Sequence, residues 1–201
     1  PVSRFASLIA KSGERLLRTF DNILNLSRLE AEQQNEPAEP VDVAAAARSV
    51  ADEIRDRAEA DDIALRTEVG SATMRTRAPA DPVPIVLRHL LSNAITYTEA
   101  GGTVWLRVGR AGGDVVVEVE DTGIGMDPDE VPALFEPFRQ ASEGFGREYE
   151  GTGLGLAVVQ RAVDRMGGTV DVATEEGEGT CVTVVLPGME PTNDAPSLGE
   201  G

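Results

Sequence analysis

The pattern of apolar and polar residues divides the chain into a long N-terminal helix and a compact unit of helices and short strands. From Val2 to Glu32, apolar residues recur at helical spacing and no proline interrupts them. This stretch has more apolar surface than a solvated helix needs, so it is expected to pack against another helix. Two hypotheses are open. The helix folds onto its own domain, or, as we prefer, it is half of a helical hairpin that pairs in a dimer.

The compact unit, residues 41–188, is predicted to combine three helices with paired strands. Asp42 and Asp81 are predicted to cap helices, the second of which starts at Pro82 and Pro84. The predicted helices cover residues 43–60, 82–96 and 154–166. Alternation predicts strands at residues 63–67, 73–77, 103–108, 115–120, 169–173 and 180–186. This mixture favours an α+β fold, a two-layer α/β sandwich.

The segments outside these two units are predicted to be connections. Residues 1–33 contain the helix, and the polar, proline-containing residues 34–40 are typical of a linker. Residues 189–201 are expected to be a disordered tail or a further linker. The chain starts at Pro1 rather than at a methionine, and we interpret it as a piece of a longer protein.

Composition limits the classes of partner. With 201 residues, 41% of them hydrophobic, the chain can bury one core with an appendage. Its formal charge of −17 argues against nucleic acid and anionic membranes as partners, because both need a basic surface. Cys181 is the single cysteine, which excludes an internal disulfide, and no run of about 18 apolar residues indicates a membrane span.

The first of three segments with chemical content is HLLSNA, residues 89–94. His89 and Asn93 are four residues apart on a predicted helix, so they share one face and can address one ligand. The asparagine carbonyl oxygen is a fair Mg²⁺ ligand when phosphates and waters complete the octahedron. Taken alone, a polar helix end and a half-buried structural histidine are the simpler interpretation.

The second segment, DTGIGM at residues 121–126, places Asp121 at the end of a predicted strand. A carboxylate there can accept a hydrogen bond from an exocyclic amine, while Gly123 and Gly125 let the backbone pass close to a flat ring. Asp-Thr-Gly also occurs in aspartic proteases, which need two such aspartates sharing a proton. The chain has one copy, so a protease would need a symmetric dimer, and the third segment would have no role.

The third segment, GTGLGL at residues 151–156, runs directly into a predicted helix. Backbone N–H groups at a helix start can bind phosphate without a lysine. The segment is not the dinucleotide fingerprint, since Leu156 occupies the third glycine position, and it lacks the GK[ST] of a P-loop. In this order the three segments predict one nucleotide site.

Together the segments resemble the N, G1 and G2 boxes of the ATP-binding domain of sensor histidine kinases. This Bergerat-type fold belongs to a superfamily shared with gyrase B, Hsp90 and MutL. LFEPF at residues 134–138 resembles the F box, GEGT at 177–180 the G3 turn, and residues 12–32 the second helix of the kinase dimerisation hairpin. The resemblance implies a cytoplasm-facing, homodimeric enzyme that binds ATP and Mg²⁺. It would phosphorylate a hairpin histidine for relay to the receiver domain of a response regulator.

The resemblance also implies roles for individual residues. Asn93 would ligate Mg²⁺, His89 would contact the γ-phosphate or orient the nucleophile, and Asp121 would bind the adenine amino group, with Thr180 beside it through a water. The rest of the nucleotide site would comprise Tyr97, Gly123, Gly125, Met126, Gly151, Thr152, Gly153, Leu154, Gly155 and Leu156. Residues 127–150 would form a mobile lid, with Phe135 and Phe138 as its anchors and Arg139 or Arg147 as a positive charge.

Departures from the family pattern leave the activity open. His89 stands where most sensor kinases have asparagine and the gyrase and Hsp90 branch has a glutamate base, so fast ATP hydrolysis is not expected. Thr96 replaces a common lysine, and Gln140 a common arginine. His89 is the only histidine. The acceptor histidine is therefore not in this chain, and the fragment alone is not expected to autophosphorylate.

Two alternatives to the kinase interpretation follow from these departures. One is a catalytically degenerate ATP-binding interaction module, or pseudokinase. The other is a serine kinase of the anti-sigma type, which would share the boxes but would not carry the N-terminal helix.

Overall fold

The computed structural model describes residues 2–31, 38–79, 82–139 and 153–189. A 3-10 turn, Pro128–Glu130, leads into the shortest helix, α4. The elements are α1 (Val2–Ala31), β1 (Glu39–Asp42), α2 (Val43–Ala60), β2 (Ala64–Val69), β3 (Arg75–Ala78), α3 (Pro82–Tyr97), β4 (Thr103–Ala111), β5 (Asp114–Asp121), α4 (Val131–Leu134), α5 (Gly155–Arg165), β6 (Thr169–Glu175) and β7 (Gly179–Leu186).

The main sheet has five strands in the order β2-β4-β5-β7-β6, so β5 is the central strand. β2 runs parallel to β4, and the other neighbouring pairs are antiparallel. The one parallel pair follows from the α3 crossover between β2 and β4, because parallel neighbours cannot be joined by a tight turn. The predicted α+β sandwich is therefore confirmed, and its sheet is mixed.

The core lies between this sheet and helices α2, α3 and α5. Alternate residues of the central strands are buried, including Val104 and Leu106 on β4 and Val117 and Val119 on β5. Leu87 of α3 is among the largest fully buried side chains on the helical side. The alternation in the sequence thus corresponds to one buried face of the sheet.

The predicted start of α2 is confirmed in atomic detail. Asp42 has extended backbone, and its Oδ1 accepts hydrogen bonds from the N–H groups of Ala44 and Ala45 at 3.1 and 3.2 Å. These bonds satisfy donors that a helix start otherwise leaves without partners. Asp81, predicted to cap α3, lies outside the described residues.

Two features differ from the sequence-based expectation. Glu39 and Pro40, assigned to the linker, belong to β1, which pairs with β3 in a separate two-stranded sheet. A proline is tolerated there because an edge strand does not need every ladder donor. The second feature is α4 with its 3-10 turn, which is too short to produce a periodic signal.

Helix α1 folds onto its own domain at one end, as the first hypothesis expects, and its pairing in a dimer stays a prediction. At its C-terminal end Leu29 is 2% exposed and packs with the domain core, and α1 contacts α5. Further back along α1 the apolar side chains are exposed: Leu16, Leu17, Phe20, Ile23 and Leu24. The helix therefore folds onto its own domain at one end and offers an apolar face along its middle. None of the helices in the described ranges has the length and apolarity needed to cross a membrane.

Candidate functional site

The three sequence segments meet where α3 ends, β5 ends and α5 begins. The backbone N–H of Ile124, just after β5, donates to the carbonyl oxygen of Tyr97 at the end of α3, at 3.1 Å. At the start of α5, a β-carbon on Gly155 would lie 3.2 Å from Nδ2 of Asn93. The structure therefore brings together the described parts of all three segments.

Asp121 is the buried charged group of this site. It is 9% exposed, and its Oδ1 accepts hydrogen bonds from the N–H groups of Gly123 at 2.9 Å and Thr180 at 3.3 Å. Burial raises the pKa of its carboxyl to about 6, although the two backbone hydrogen bonds work in the opposite direction. At pH 7 the site therefore holds a carboxylate that is poorly solvated.

The glycines of the second segment are required by close approaches of backbone to backbone. A β-carbon on Gly123 would lie 2.3 Å from the carbonyl oxygen of Tyr97. Gly125 has φ +58°, and a β-carbon there would lie 1.9 Å from the carbonyl oxygen of Glu175. Both glycines were expected to let the backbone pass close to a flat ligand, and both are also required by backbone contacts that involve no ligand.

One face of α3 carries His89, Asn93 and Tyr97, each four residues after the last and each partly exposed. Burial lowers the pKa of the His89 imidazole to about 4, and it raises the pKa of the Tyr97 hydroxyl. His89 is therefore a neutral hydrogen-bonding group at pH 7 and a weak base.

Thr96 lies on a different face of α3. Its hydroxyl oxygen accepts a hydrogen bond from Nη2 of Arg57 on α2 at 2.8 Å and donates to the carbonyl of Ser92 at 2.7 Å. Nη1 of the same arginine donates to the Ser92 hydroxyl at 2.8 Å. The residue that replaces a common lysine therefore takes part in the contact between α2 and α3.

The described part of the third segment is Gly153, Leu154, Gly155 and Leu156. Leu154 is fully buried and occupies the N-cap position of α5, where its apolar side chain makes no capping hydrogen bond. The N–H groups of the first turn thus receive no cap from this side chain, which suits an anionic ligand. Gly151, Thr152, Arg147 and Gln140 lie outside the described residues.

The F-box segment carries Phe135 and Phe138, the two expected lid anchors. Phe138 is 70% exposed with φ +67°, and Phe135 is partly exposed. Residues 140–150 of the expected lid lie outside the described residues, so the anchoring role stays a prediction. A backbone hydrogen bond of 2.8 Å from the N–H of Phe138 to the carbonyl of Gly153 joins this segment to the start of α5. Exposed Arg139 pairs with neighbouring Glu136 at 3.1 Å.

Sequence reasoning missed Thr174 on β6. Its hydroxyl oxygen accepts a hydrogen bond from the N–H of Met126 at 3.1 Å and lies 3.0 Å from the hydroxyl of Thr180. Thr174 is the cross-strand partner of Thr180 in the last hairpin. The register of that hairpin was the one signal that could have identified it.

We predict that Asp121→Asn stabilises the ligand-free domain. Asparagine keeps an Oδ1 for both backbone donors and removes the buried charge. Because the native pKa is raised from 3.8 to about 6, ionisation destabilises the native state as pH rises through this window. At pH 7.5 the variant should gain roughly 2 to 3 kcal/mol in free energy of unfolding, measured by urea denaturation.

Two comparisons check this stability prediction. The gain should disappear below about pH 4, where Asp121 is protonated in both states. Asp114→Asn, at the exposed other end of β5, should change stability little at either pH. A loss of stability in Asp121→Asn at pH 7.5 would contradict the account.

Comparison with proteins of known sequence supports the resemblance to sensor histidine kinases. A sequence model described as "Histidine kinase-, DNA gyrase B-, and HSP90-like ATPase" matches residues 80–190, more than half of the chain. The circadian input-output histidine kinase CikA of Synechococcus elongatus is 34% identical over 199 residues, which cover 96% of this chain and 26% of CikA. The chain thus spans about a quarter of the length of this curated relative.

Solved structures agree with the sequence comparisons. Full-length ShkA in complex with AMPPNP is similar with a TM-score of 0.74 and 32% identity, over 92% of this chain and 38% of that one. The mycobacterial sensor histidine kinase MprB is similar with a TM-score of 0.66 and 27% identity, over 75% of this chain and 97% of that one. The resemblance to an ATP-binding domain of sensor histidine kinases is confirmed, and the chain belongs to the family of histidine kinase-, DNA gyrase B- and HSP90-like ATPases.

Proposed function

We propose that this chain is the ATP-binding catalytic region of a two-component sensor histidine kinase. It would transfer the γ-phosphate of ATP to a histidine on the dimerisation hairpin, outside this chain, for relay to an aspartate of a response-regulator receiver domain. One observation carries the proposal: a buried carboxylate, Asp121, lies in the same site as the start of α5 and the amide of Asn93. In this arrangement, adenine would bind at Asp121, and the phosphates would bind at Asn93 and the start of α5.

The adenine end is built around Asp121. Two backbone N–H groups already bind its Oδ1, so we infer that Oδ2 accepts the hydrogen bond from the 6-amino group of adenine. Thr180 would assist through a water, and Tyr97 and Met126 would contact the ring. An amine that replaces lost hydration would stabilise the ionised carboxylate and lower its pKa.

The phosphate end is built around Asn93 and the start of α5. The amide oxygen is a hard ligand of the kind Mg²⁺ accepts, and the nearness of Gly155 to Asn93 fits such an ion held between protein and phosphates. Mg²⁺ bound there would neutralise phosphate charge. The N–H groups of residues 153–156, with Gly151 and Thr152, would hold the phosphate oxygens, so this chain contributes positioning more than covalent chemistry.

His89 is proposed to orient groups rather than to activate water. An imidazole with a pKa near 4 is neutral at pH 7 and too weak a base to replace a glutamate in hydrolysis. It can still donate or accept one hydrogen bond at the γ-phosphate or at the attacking nucleophile. This supports transfer to an incoming imidazole over transfer to water.

Helix α1 is proposed to be the second helix of the dimerisation hairpin. Its exposed apolar side chains, with Leu17 at 65% and Phe20 at 59%, would be covered by the other helices of a homodimeric bundle. This helix also argues against the anti-sigma type of serine kinase. We place the domain in the cytoplasm, where ATP and the receiver domain would be available.

The alternative function is a nucleotide-binding interaction module without kinase activity. His89 in the N box and the engagement of Thr96 by Arg57 are the observations that favour it, since both remove groups common in active kinases. Its ATP site would be the same, so binding alone does not separate the two functions.

We predict that the chain binds Mg-ATP and that Asp121→Ala and Asn93→Ala each weaken binding at least about a hundredfold, because each removes a group the ligand needs in a partly buried site. Isothermal titration calorimetry measures this directly. Asp114→Ala, a carboxylate deletion at the exposed end of β5, is the matched control and should bind as wild type. Absence of adenine-nucleotide binding by the wild-type chain would refute the proposed site.

We predict that a chain extended upstream to include the whole hairpin forms phosphohistidine from γ-labelled ATP, whereas the present chain does not. The product should be labile to acid and stable to base, which is measured as the label that remains on the blotted protein after each treatment. The Asn93→Ala variant of the extended chain should give no product. ATP binding without phosphohistidine in the extended wild type would establish the interaction module instead.

A further inference from the structure

Thr174 links two parts of the nucleotide site that are remote in sequence. It lies on β6 directly opposite Thr180 on β7. Its hydroxyl oxygen has three polar neighbours: the N–H of Met126 at 3.1 Å, the carbonyl oxygen of Gly179 at 3.0 Å and the hydroxyl of Thr180 at 3.0 Å. One side chain thus joins the loop after Asp121 to the last hairpin.

The number of protons available decides the direction of these three hydrogen bonds. A hydroxyl has one hydrogen to donate and can accept two. The N–H of Met126 can only donate and the carbonyl of Gly179 can only accept, so Thr174 accepts from the first and donates to the second. The remaining bond is therefore donated by the Thr180 hydroxyl to Thr174.

This direction determines what Thr180 can offer to a ligand. Its hydrogen is directed at Thr174, so its lone pairs are what remain for the nucleotide site. Thr180 is the cross-strand partner of Asp121, so the two side chains lie on the same face of the sheet, and the N–H of Thr180 donates to Oδ1 of Asp121 at 3.3 Å. The two groups both act as acceptors, and they favour a ligand group that donates.

We propose that Thr174 is a positioning residue that fixes the Thr180 hydroxyl as an acceptor, and thereby makes the site select 6-amino purines over 6-oxo purines. The inference rests on the proposed function, because it takes Asp121 and Thr180 as the groups that face the base. A 6-amino group, or a water that it binds, finds two acceptors there. A 6-oxo group directs lone pairs at these acceptors, and such a base keeps a ring hydrogen only on N1, so the acceptors that face position 6 are left without a donor.

The test compares the affinities for ATP and inosine triphosphate, whose base carries oxygen at position 6. In Thr174→Val the Thr180 hydroxyl is free to rotate and donate. The Kd for inosine triphosphate divided by the Kd for ATP should therefore fall about tenfold, which is the effect of one hydrogen bond. Thr174→Ser keeps the hydroxyl and should keep the wild-type ratio. Thr169→Val, at the exposed other end of β6, is the matched control and should also keep it.

A double-mutant cycle tests whether Thr174 acts through Thr180. In a Thr180→Val background, Thr174→Val should leave the ratio unchanged, because no hydroxyl remains to be oriented. If Thr174→Val does not fold, Thr174→Ala takes its place in both measurements. An equal loss of affinity for both nucleotides in the single variant would indicate a merely structural role and overturn the inference.

The outcomes also separate this inference from the proposed function. A wild-type chain that binds neither nucleotide refutes both. A wild-type chain that binds ATP in an Asp121-dependent way, with an unaltered ratio in Thr174→Val, refutes the positioning role alone. The same ratio change in the Thr180→Val background also refutes it.

Discussion

A carboxylate removed from water destabilises a fold unless other groups replace the lost hydration, and Asp121 occupies such a position at the end of the central strand. Two backbone N–H groups replace part of that hydration, one from the loop that follows and one from the neighbouring strand β7. The pKa of the carboxyl still remains raised, to about 6. The ligand-free domain therefore keeps an incompletely compensated charge, and a hydrogen-bond donor on a ligand can supply what is missing.

The surrounding backbone is organised to hold this group in place. The loop after β5 is bonded on one side to the end of α3, through Ile124 and Tyr97, and on the other to the β6–β7 turn, where the N–H of Gly177 donates to the carbonyl of Ile124 at 2.8 Å. Gly123 and Gly125 allow approaches that a β-carbon would prevent. Because α3 also carries Asn93, which lies close to the start of α5, one set of contacts fixes Asp121 relative to the groups proposed to bind phosphate.

Features set by local sequence were predictable. The cap at Asp42, the β4–β5 hairpin and helices α2, α3 and α5 each depend on neighbours within a few residues, and the structure reproduces them within a few positions. The pairing of β1 with β3 and the position of Thr174 depend on strand register between distant segments, which a single sequence does not encode locally. The hydrogen bond between Thr96 and Arg57 depends on how α2 packs against α3. The order and spacing of the three segments predicted a nucleotide site, and the family resemblance implied ATP as its ligand. The backbone contacts of Gly123 and Gly125 could not be predicted, because they depend on how distant segments pack.

The most direct test of this account is the pKa of Asp121, followed through its side-chain carboxyl carbon by NMR with and without a bound adenine nucleotide. The account predicts a pKa of about 6 in the free domain and a clear decrease when the nucleotide is bound, because a donated hydrogen bond favours the ionised form. An ordinary pKa near 3.8 in the free domain, or a raised pKa that the nucleotide leaves unchanged, would contradict it.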